Sequence, residues 1–294
     1  MMQFTRRGFM ITSAGAAAAA ALGPWRKLRA AVDIRLSACD WSLGMSANPE
    51  GLDVAKELGL DGLEISATDE VRDEIRLADP AFRNQYKEAM ERTSLPVSSI
   101  GMAFLNQAPF ARDPRGPAWL EQTIEAAAEL EAGVILMAFF GEGDLRDEDG
   151  ALREDDVDTL VERLREAAPM AEDAGVILGI ENWLSAEQNL AILERVDSEA
   201  VQVYYDVGNS TVRGYDVPVE IRRLGERIAP SIHFKDGDHA LGEGDVDFDG
   251  VAEAMRDIQY SGWVTLETAI LDDDRDASFR RNAAFVRDLF GLTE

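Results

Sequence analysis

Val176-Ile177-Leu178-Gly179-Ile180-Glu181, Val201-Gln202-Val203-Tyr204-Tyr205-Asp206, Ile228-Ala229-Pro230-Ser231-Ile232-His233 and Trp263-Val264-Thr265-Leu266-Glu267 are four short apolar runs, and each ends on a residue type that ligates metals. Bounded by Gly or polar residues, such β-rich runs read as buried strands of a parallel sheet. In an α/β barrel the carboxyl ends of the strands converge on one face, so the four terminal side chains are placed to meet. Two Glu, one Asp and one His make a hard, oxygen-rich donor set. It suits Mn²⁺ best, with Mg²⁺, Co²⁺ or Zn²⁺ as further candidates.

Outward from these runs, strand-like and helical stretches alternate over the rest of the chain, the pattern of a parallel sheet with crossover helices. Earlier strands are expected at Ile34–Cys39, Gly62–Ser66, Val97–Met102 and Val134–Phe140. Helices are expected near 49–58, 79–93, 117–130, 156–173, 185–195, 217–225, 249–258 and 277–289. Ser185 with Gln188 three residues later is a capping-box start. Glycines near helix ends (Gly59, Gly133, Gly175 and Gly262) read as left-handed C-caps. Eight strand–helix units give a single α/β domain, a (β/α)₈ TIM barrel over residues 32–294. The loop 141–156 is acidic.

Residues 1–31 read as a targeting segment. Thr5-Arg6-Arg7-Gly8-Phe9-Met10 is a twin-arginine signature, followed by the Ala-rich run Ile11–Leu22, which is too short to span a bilayer. The expectation is export by the twin-arginine route, cleavage between Ala21 and Ala31, a periplasmic or extracellular destination, and no stable membrane anchor afterwards. Cys39, the only cysteine, resembles by its neighbours a lipoprotein box. The charged residues between it and the apolar run favour instead a buried residue on the first strand. One cysteine excludes an intrachain disulfide.

The formal charge is −27, and the five cations of the first 32 residues offset part of a body more acidic still. Such a surface repels nucleic acid and anionic membranes, so neither is an expected partner. Only four of the 29 basic residues are Lys. An acidic, Lys-poor surface suits a salt-rich habitat, and a high-GC genome would also favour Arg.

The chain resembles the xylose isomerase-like TIM barrels, the sugar phosphate isomerases/epimerases, from about residue 34 to its end. The carriers are Gly62-Leu63-Glu64, Ile180-Glu181-Asn182, Tyr205-Asp206-Val207-Gly208-Asn209, His233-Phe234-Lys235-Asp236, the stretch Leu241 to Phe248, and Leu266-Glu267. The resemblance implies that Glu181, Asp206, His233 and Glu267 hold a divalent metal and that Glu181 and Glu267 also move protons. A cation holding two oxygens of a hydroxy-ketone acidifies the C–H beside the carbonyl, and a carboxylate on each face can take a proton from one side and return one to the other. It also implies substrate contacts at Glu187, Asn209, His239 and Lys235. Asn209 and His239 depart from the His and Arg that D-tagatose 3-epimerase-like members carry there, and Asn at the first place is found in L-xylulose-5-phosphate 3-epimerase-like members. Glu64 either faces the site or anchors the barrel interior.

Trp41, Phe104, Phe139, Phe140 and Trp183 lie at or past expected strand ends, where an aromatic stacks on a sugar ring or packs in the core. Trp183 is the first candidate for a substrate wall. The expected activity is metal-dependent epimerisation or isomerisation of a small-molecule sugar or polyol. A lyase or deglycosylating enzyme acting on a 3-keto-glycoside, or a non-catalytic sugar-binding barrel, are the alternatives. Export and the lack of an Arg cluster weigh against a phosphorylated substrate. A three-metal apurinic endonuclease needs more histidines than the two present. A homo-oligomer is compatible with the chain.

Overall fold

The computed structural model describes residues 34–292; the expected twin-arginine segment lies outside them. Eight strands alternate with helices: β1 (Ile34–Ala38), β2 (Leu63–Ser66), β3 (Val97–Met102), β4 (Val134–Ala138), β5 (Ile177–Glu181), β6 (Val201–Asp206), β7 (Ile228–Phe234) and β8 (Gly262–Leu266). Their order in the sheet is β1-β8-β7-β6-β5-β4-β3-β2, and each ladder is parallel. At the seam between β1 and β2 a parallel bridge joins Cys39 to Glu64, and the Asp40 amide donates to the Glu64 carbonyl at 2.9 Å. The ring is thereby all but closed, and the chain is a TIM barrel.

The helices are α1 (Gly51–Glu57), α2 (Pro80–Thr93), α3 (Gly116–Glu129), α4 (Glu154–Ala174), α5 (Ala186–Val196), α6 (Val207–Val212), α7 (Val217–Leu224), α8 (Phe248–Asp257) and α9 (Arg275–Phe290). Strand periodicity of two divides the sheet's side chains between two cores. Leu36, Ile65, Ile100, Ile135, Leu178, Val203, Ile232 and Val264 belong to the large core with the helices. Val134, Leu136, Ala138, Ile177, Tyr204 and Ala229 form a small second cluster inside the ring. Counting by twos from Ile177, Tyr204 and Ala229 brings Glu181, Asp206 and His233 to that interior face.

The expected capping box is present, with Ser185 and Gln188 bonding reciprocally at the start of α5. Gly59 and Gly175 are left-handed as expected, at φ 75° and 70°. Gly133 and Gly262 are not C-caps. The left-handed residues there are Glu131 (φ 55°) and Gln259 (φ 53°), because α3 and α8 stop earlier than the glycines suggest. Gly262 serves packing instead: a Cβ there would lie 2.9 Å from Pro230 Cα. Helix α6 was not expected, since Val-Gly-Asn-Ser-Thr-Val has poor helix propensity. Its N-cap is Asp206, whose Oδ1 accepts from the Asn209 amide at 2.7 Å.

Asp40, just past β1, fastens the mouth of the barrel at this seam. Its Oδ2 accepts from the Ser66 amide at 2.7 Å and the Ala47 amide at 2.9 Å, and its Oδ1 from the Ser66 hydroxyl at 2.5 Å. Burial pushes its carboxyl up to about 7; those hydrogen bonds oppose the shift and the charge of Glu64 adds to it. A folded-state value raised above the unfolded ~3.9 means that the native state holds this proton more tightly. The associated stability is full below about pH 4 and is lost as pH rises toward 7, on the order of 4 kcal/mol in all. Urea midpoints of wild type and Asp40→Asn, measured from pH 4 to 8, should therefore diverge, with wild type losing ground to the variant as pH rises. Parallel curves would show that Asp40 does not titrate in that window.

Candidate functional site

Four strand ends place four ligand-type side chains at one point. Glu181 is the last residue of β5, Asp206 the last of β6, His233 lies in β7, and Glu267 follows β8 directly. The register pairs Asp206 with His233, and the Glu267 amide still donates to the Phe234 carbonyl at 3.1 Å, so the backbone carries Glu267 as a strand would. His233 Nδ1 lies 3.3 Å from Glu181 Oε1, 3.5 Å from Glu267 Oε2 and 3.7 Å from Asp206 Oδ2. One ligand atom from each of the four residues lies within 4.8 Å of the others.

Asp206 Oδ2 is buried without a hydrogen-bond donor, because α6 capping engages only Oδ1. It faces Lys235 Nζ at 3.1 Å, and the same ammonium sits 2.6 Å from Glu267 Oε2. This ammonium thus contacts two of the four groups. A buried oxygen whose neighbouring ammonium is shared with Glu267, beside two more carboxylates and an imidazole nitrogen, fits a divalent cation by charge and by donor type.

The electrostatics follow from crowding. Burial lifts Glu181 to about 7, His233 opposes the shift, and the charges of Glu267 and Asp206 add to it. Burial would also raise Glu267, but His233, Lys235 and the Trp41 hydrogen bond outweigh it and hold this carboxyl at about 2. Asp206 is raised by burial against the pull of Lys235. Burial works against the Lys235 ammonium, yet Asp206, Glu267 and Glu181 around it raise its proton affinity. Two carboxylates of one site are thus pushed apart, one toward holding a proton and one toward lacking it.

A cavity of ≈430 Å³ opens over the cluster, lined on one side by Glu181, Asn209, Lys235 and Glu267, and walled by Trp41, Phe140 and Trp183. Trp183 therefore stands where the sequence placed it, edge-on to Phe140 at 5.1 Å between ring centres. Phe104 and Phe139 take the other fate: both are buried, Phe104 against Trp119 and Phe139 against Phe110. Asn209 meets the site, its Nδ2 donating to Glu181 Oε1 at 3.2 Å, and Gly208 beside it leaves room for Lys235, whose carbonyl would be 2.8 Å from a Cβ there.

Two expected substrate contacts are not brought to the cavity. Glu187 lies on the first turn of α5, largely exposed, with its carboxylate 3.1 Å from Arg223. His239 is exposed in the turn after β7, where its amide bonds back to the Asp236 carbonyl. In both cases the residue count from the strand end is right and the helix or turn directs the side chain elsewhere. The sequence marked Trp41 only as a strand-end aromatic, and it did not assign Trp41's bond to Glu267 or the place of Asn106. Trp41 Nε1 donates to Glu267 Oε1 at 3.0 Å, and Asn106 Oδ1 accepts from the Phe140 amide at 2.9 Å beside the cavity. Cys39 is buried at the end of β1, as expected.

The sequence model of the family described as xylose isomerase-like TIM barrel matches residues 52–289. SgbU of Escherichia coli strain K12, provisionally named an L-ribulose-5-phosphate 3-epimerase, is 29% identical over 243 residues, 74% of this chain and 82% of SgbU. Among solved structures, 3-keto-D-glucoside 4-epimerase YcjR from E. coli superposes with a TM-score of 0.73 at 19% identity, covering 87% of this chain and all of YcjR. D-Psicose 3-epimerase from Clostridium cellulolyticum H10, solved with D-tagatose, gives 0.71 at 18% identity, over 87% of this chain and 99% of that one.

Proposed function

Because the chain belongs to the xylose isomerase-like TIM barrel family, we propose that it is a divalent-metal-dependent epimerase or isomerase of a sugar or sugar-like polyol, acting by proton abstraction next to a carbonyl. The observation that carries this reading is that Glu181 and Glu267 share both the ligand cluster and the cavity wall. All three activities named for the relative and the two superposed structures are sugar epimerisations, which supports the same reading.

Glu181, Asp206, His233 and Glu267 would hold the cation, Mn²⁺ by preference for this oxygen-rich set. Bound there, it supplies Lewis-acid polarisation of the substrate carbonyl. The chain's own residues do the rest. Glu267, paired with Lys235 and oriented by Trp41, is suited to accept a proton from carbon. Glu181, which lines the same cavity, is suited to return one. Trp41, Phe140 and Trp183 present apolar faces on which a sugar ring stacks, and they keep water from the reacting carbon. Asn209 and Lys235 are placed to bond hydroxyls.

The test is conversion of a panel of free ketoses and 3-keto-glucosides, with the protein first stripped by chelator and then supplied with Mn²⁺. Metal-restored interconversion of epimers is expected. The same aromatic walls also accommodate a glycoside, which keeps β-elimination from a 3-keto-glycoside as a second reading; release of the aglycone in that assay would select it. Export belongs to the proposal too: fractionation should find the Arg6→Lys, Arg7→Lys protein retained in the cytoplasm, and unimpaired export would refute that part alone.

A further inference from the structure

Behind the ligand cluster, the other edge of the His233 ring meets a second buried set. Nε2 lies 2.8 Å from Glu64 Oε1, and Cys39 Sγ lies 3.4 Å from both. The far oxygen of Glu64, Oε2, accepts from the Ser99 hydroxyl and from Tyr204 OH, the latter at 2.6 Å. Tyr204 OH and Ser231 Oγ are 2.6 Å apart, Ser231 and Thr265 3.1 Å, and Thr265 and Ser37 2.8 Å. Every one of these side chains is buried inside the barrel. Glu64, Cys39 and His233 also group closely enough to suggest a second cation site.

Counting donors decides between a cation site and a hydrogen-bond network. An ionised carboxylate offers about four acceptor positions. Glu64 has four candidate donors around it: Ser99 and Tyr204 on Oε2, Cys39 S–H and His233 Nε2 on Oε1. A carboxylate saturated in this way has no lone pair left for a metal. It also requires that Nε2 carry a proton, since a bare Nε2 would turn a buried lone pair toward an anion.

We infer that Glu64 is a positioning residue: it holds a proton of His233 on Nε2 and thereby leaves Nδ1 as the nitrogen open to a cation among Glu181, Asp206 and Glu267. Ligating imidazoles held through their other nitrogen are oriented and made more basic by such a partner. The inference rests on the proposed metal site, and its test separates the two.

The chain has two histidines, one buried and one exposed, so ¹⁵N-histidine labelling gives two ring systems with His239 as the solvent reference. In the metal-free full-length protein, long-range ¹H–¹⁵N correlation should show His233 with a proton on Nε2. Adding Zn²⁺ should perturb Nδ1 and leave the Nε2 proton in place. Glu64→Met, which keeps the bulk and removes the acceptor, should weaken Mn²⁺ binding about 10–100-fold, and Glu64→Gln, which retains one oxygen for Nε2–H, should recover most of it. A ring protonated on Nδ1 alone overturns the inference, whether or not metal binds. So do two Zn²⁺ per chain with loss of the Nε2 proton, or a folded Glu64→Met protein that binds Mn²⁺ like wild type. If Glu64→Met does not fold, the wild-type tautomer still decides. An Nε2–H ring in a protein that binds no divalent cation would sink the metal reading and leave the tautomer assignment standing.

Discussion

Glu267→Gln is expected to abolish exchange of substrate carbon-bound hydrogen with solvent while leaving the protein folded and able to take up metal. The amide keeps one oxygen, which serves either the cation or the hydrogen bond from Trp41 Nε1. It cannot accept a proton from carbon. A general base contributes roughly 10²–10⁴-fold, so turnover should fall by that factor or more. The variant also removes one of the two anions that hold Lys235, so some weakening of metal and sugar binding is expected beside the larger loss in rate. Calorimetry of Mn²⁺ and sugar binding, run alongside the rate assay, separates the two. A variant that exchanges hydrogen at the wild-type rate would take the base role away from Glu267.

The second large effect should appear as two changes of opposite sign. Asp206 is buried among Glu181, Glu267 and His233, and its Oδ2 faces Lys235 Nζ at 3.1 Å. Asp206→Asn removes one negative charge from that cluster and retains the side-chain oxygen that caps α6. In the metal-free protein the change relieves like-charge crowding and the burial of a carboxylate, and Lys235 keeps its pairing with Glu267, so the melting temperature should rise. Metal affinity should fall, by about 100-fold or more, since a direct ligand matters at least as much as the outer-shell partners whose loss costs 10–100-fold. A residue with a purely structural role would not move these two quantities in opposite directions. Differential scanning calorimetry with chelator and with Mn²⁺ reads both, and a fall in both would argue that Asp206 is a scaffold residue.

How much of this was legible in the sequence depends on the range of the interaction. Strand ends are local: an apolar run stops, and a Glu, Asp or His stands at its end. The barrel then carries that end to a known face, so Glu181, Asp206, His233 and Glu267 were placed without coordinates. Local chemistry also gave the Ser185–Gln188 box and the left-handed Gly59 and Gly175. Fixed offsets past a strand were less dependable. Asn209 keeps its place because α6 is capped by Asp206, whereas Glu187 and His239 are rotated to the surface by the elements they sit on. Helix α6 was missed because its stability comes from that cap and from burial of Val207–Ser210, not from propensity. Least legible were contacts between distant strands. Glu64 and His233 are 169 residues apart and Trp41 and Glu267 are 226 apart, and nothing in either neighbourhood announces the partner.

Proton abstraction next to a carbonyl is the centre of the proposal, and hydrogen exchange reads it without requiring the natural sugar to be known. The wild-type protein, loaded with Mn²⁺, is incubated in D₂O with candidate ketoses and 3-keto-glucosides, and deuterium on carbon is followed by NMR or mass spectrometry. Incorporation at the carbon beside the carbonyl, dependent on metal and lost in Glu267→Gln, is the predicted result. A sugar that binds the metal-loaded protein yet gains no deuterium on carbon would contradict the mechanism and favour a binding protein on the same barrel.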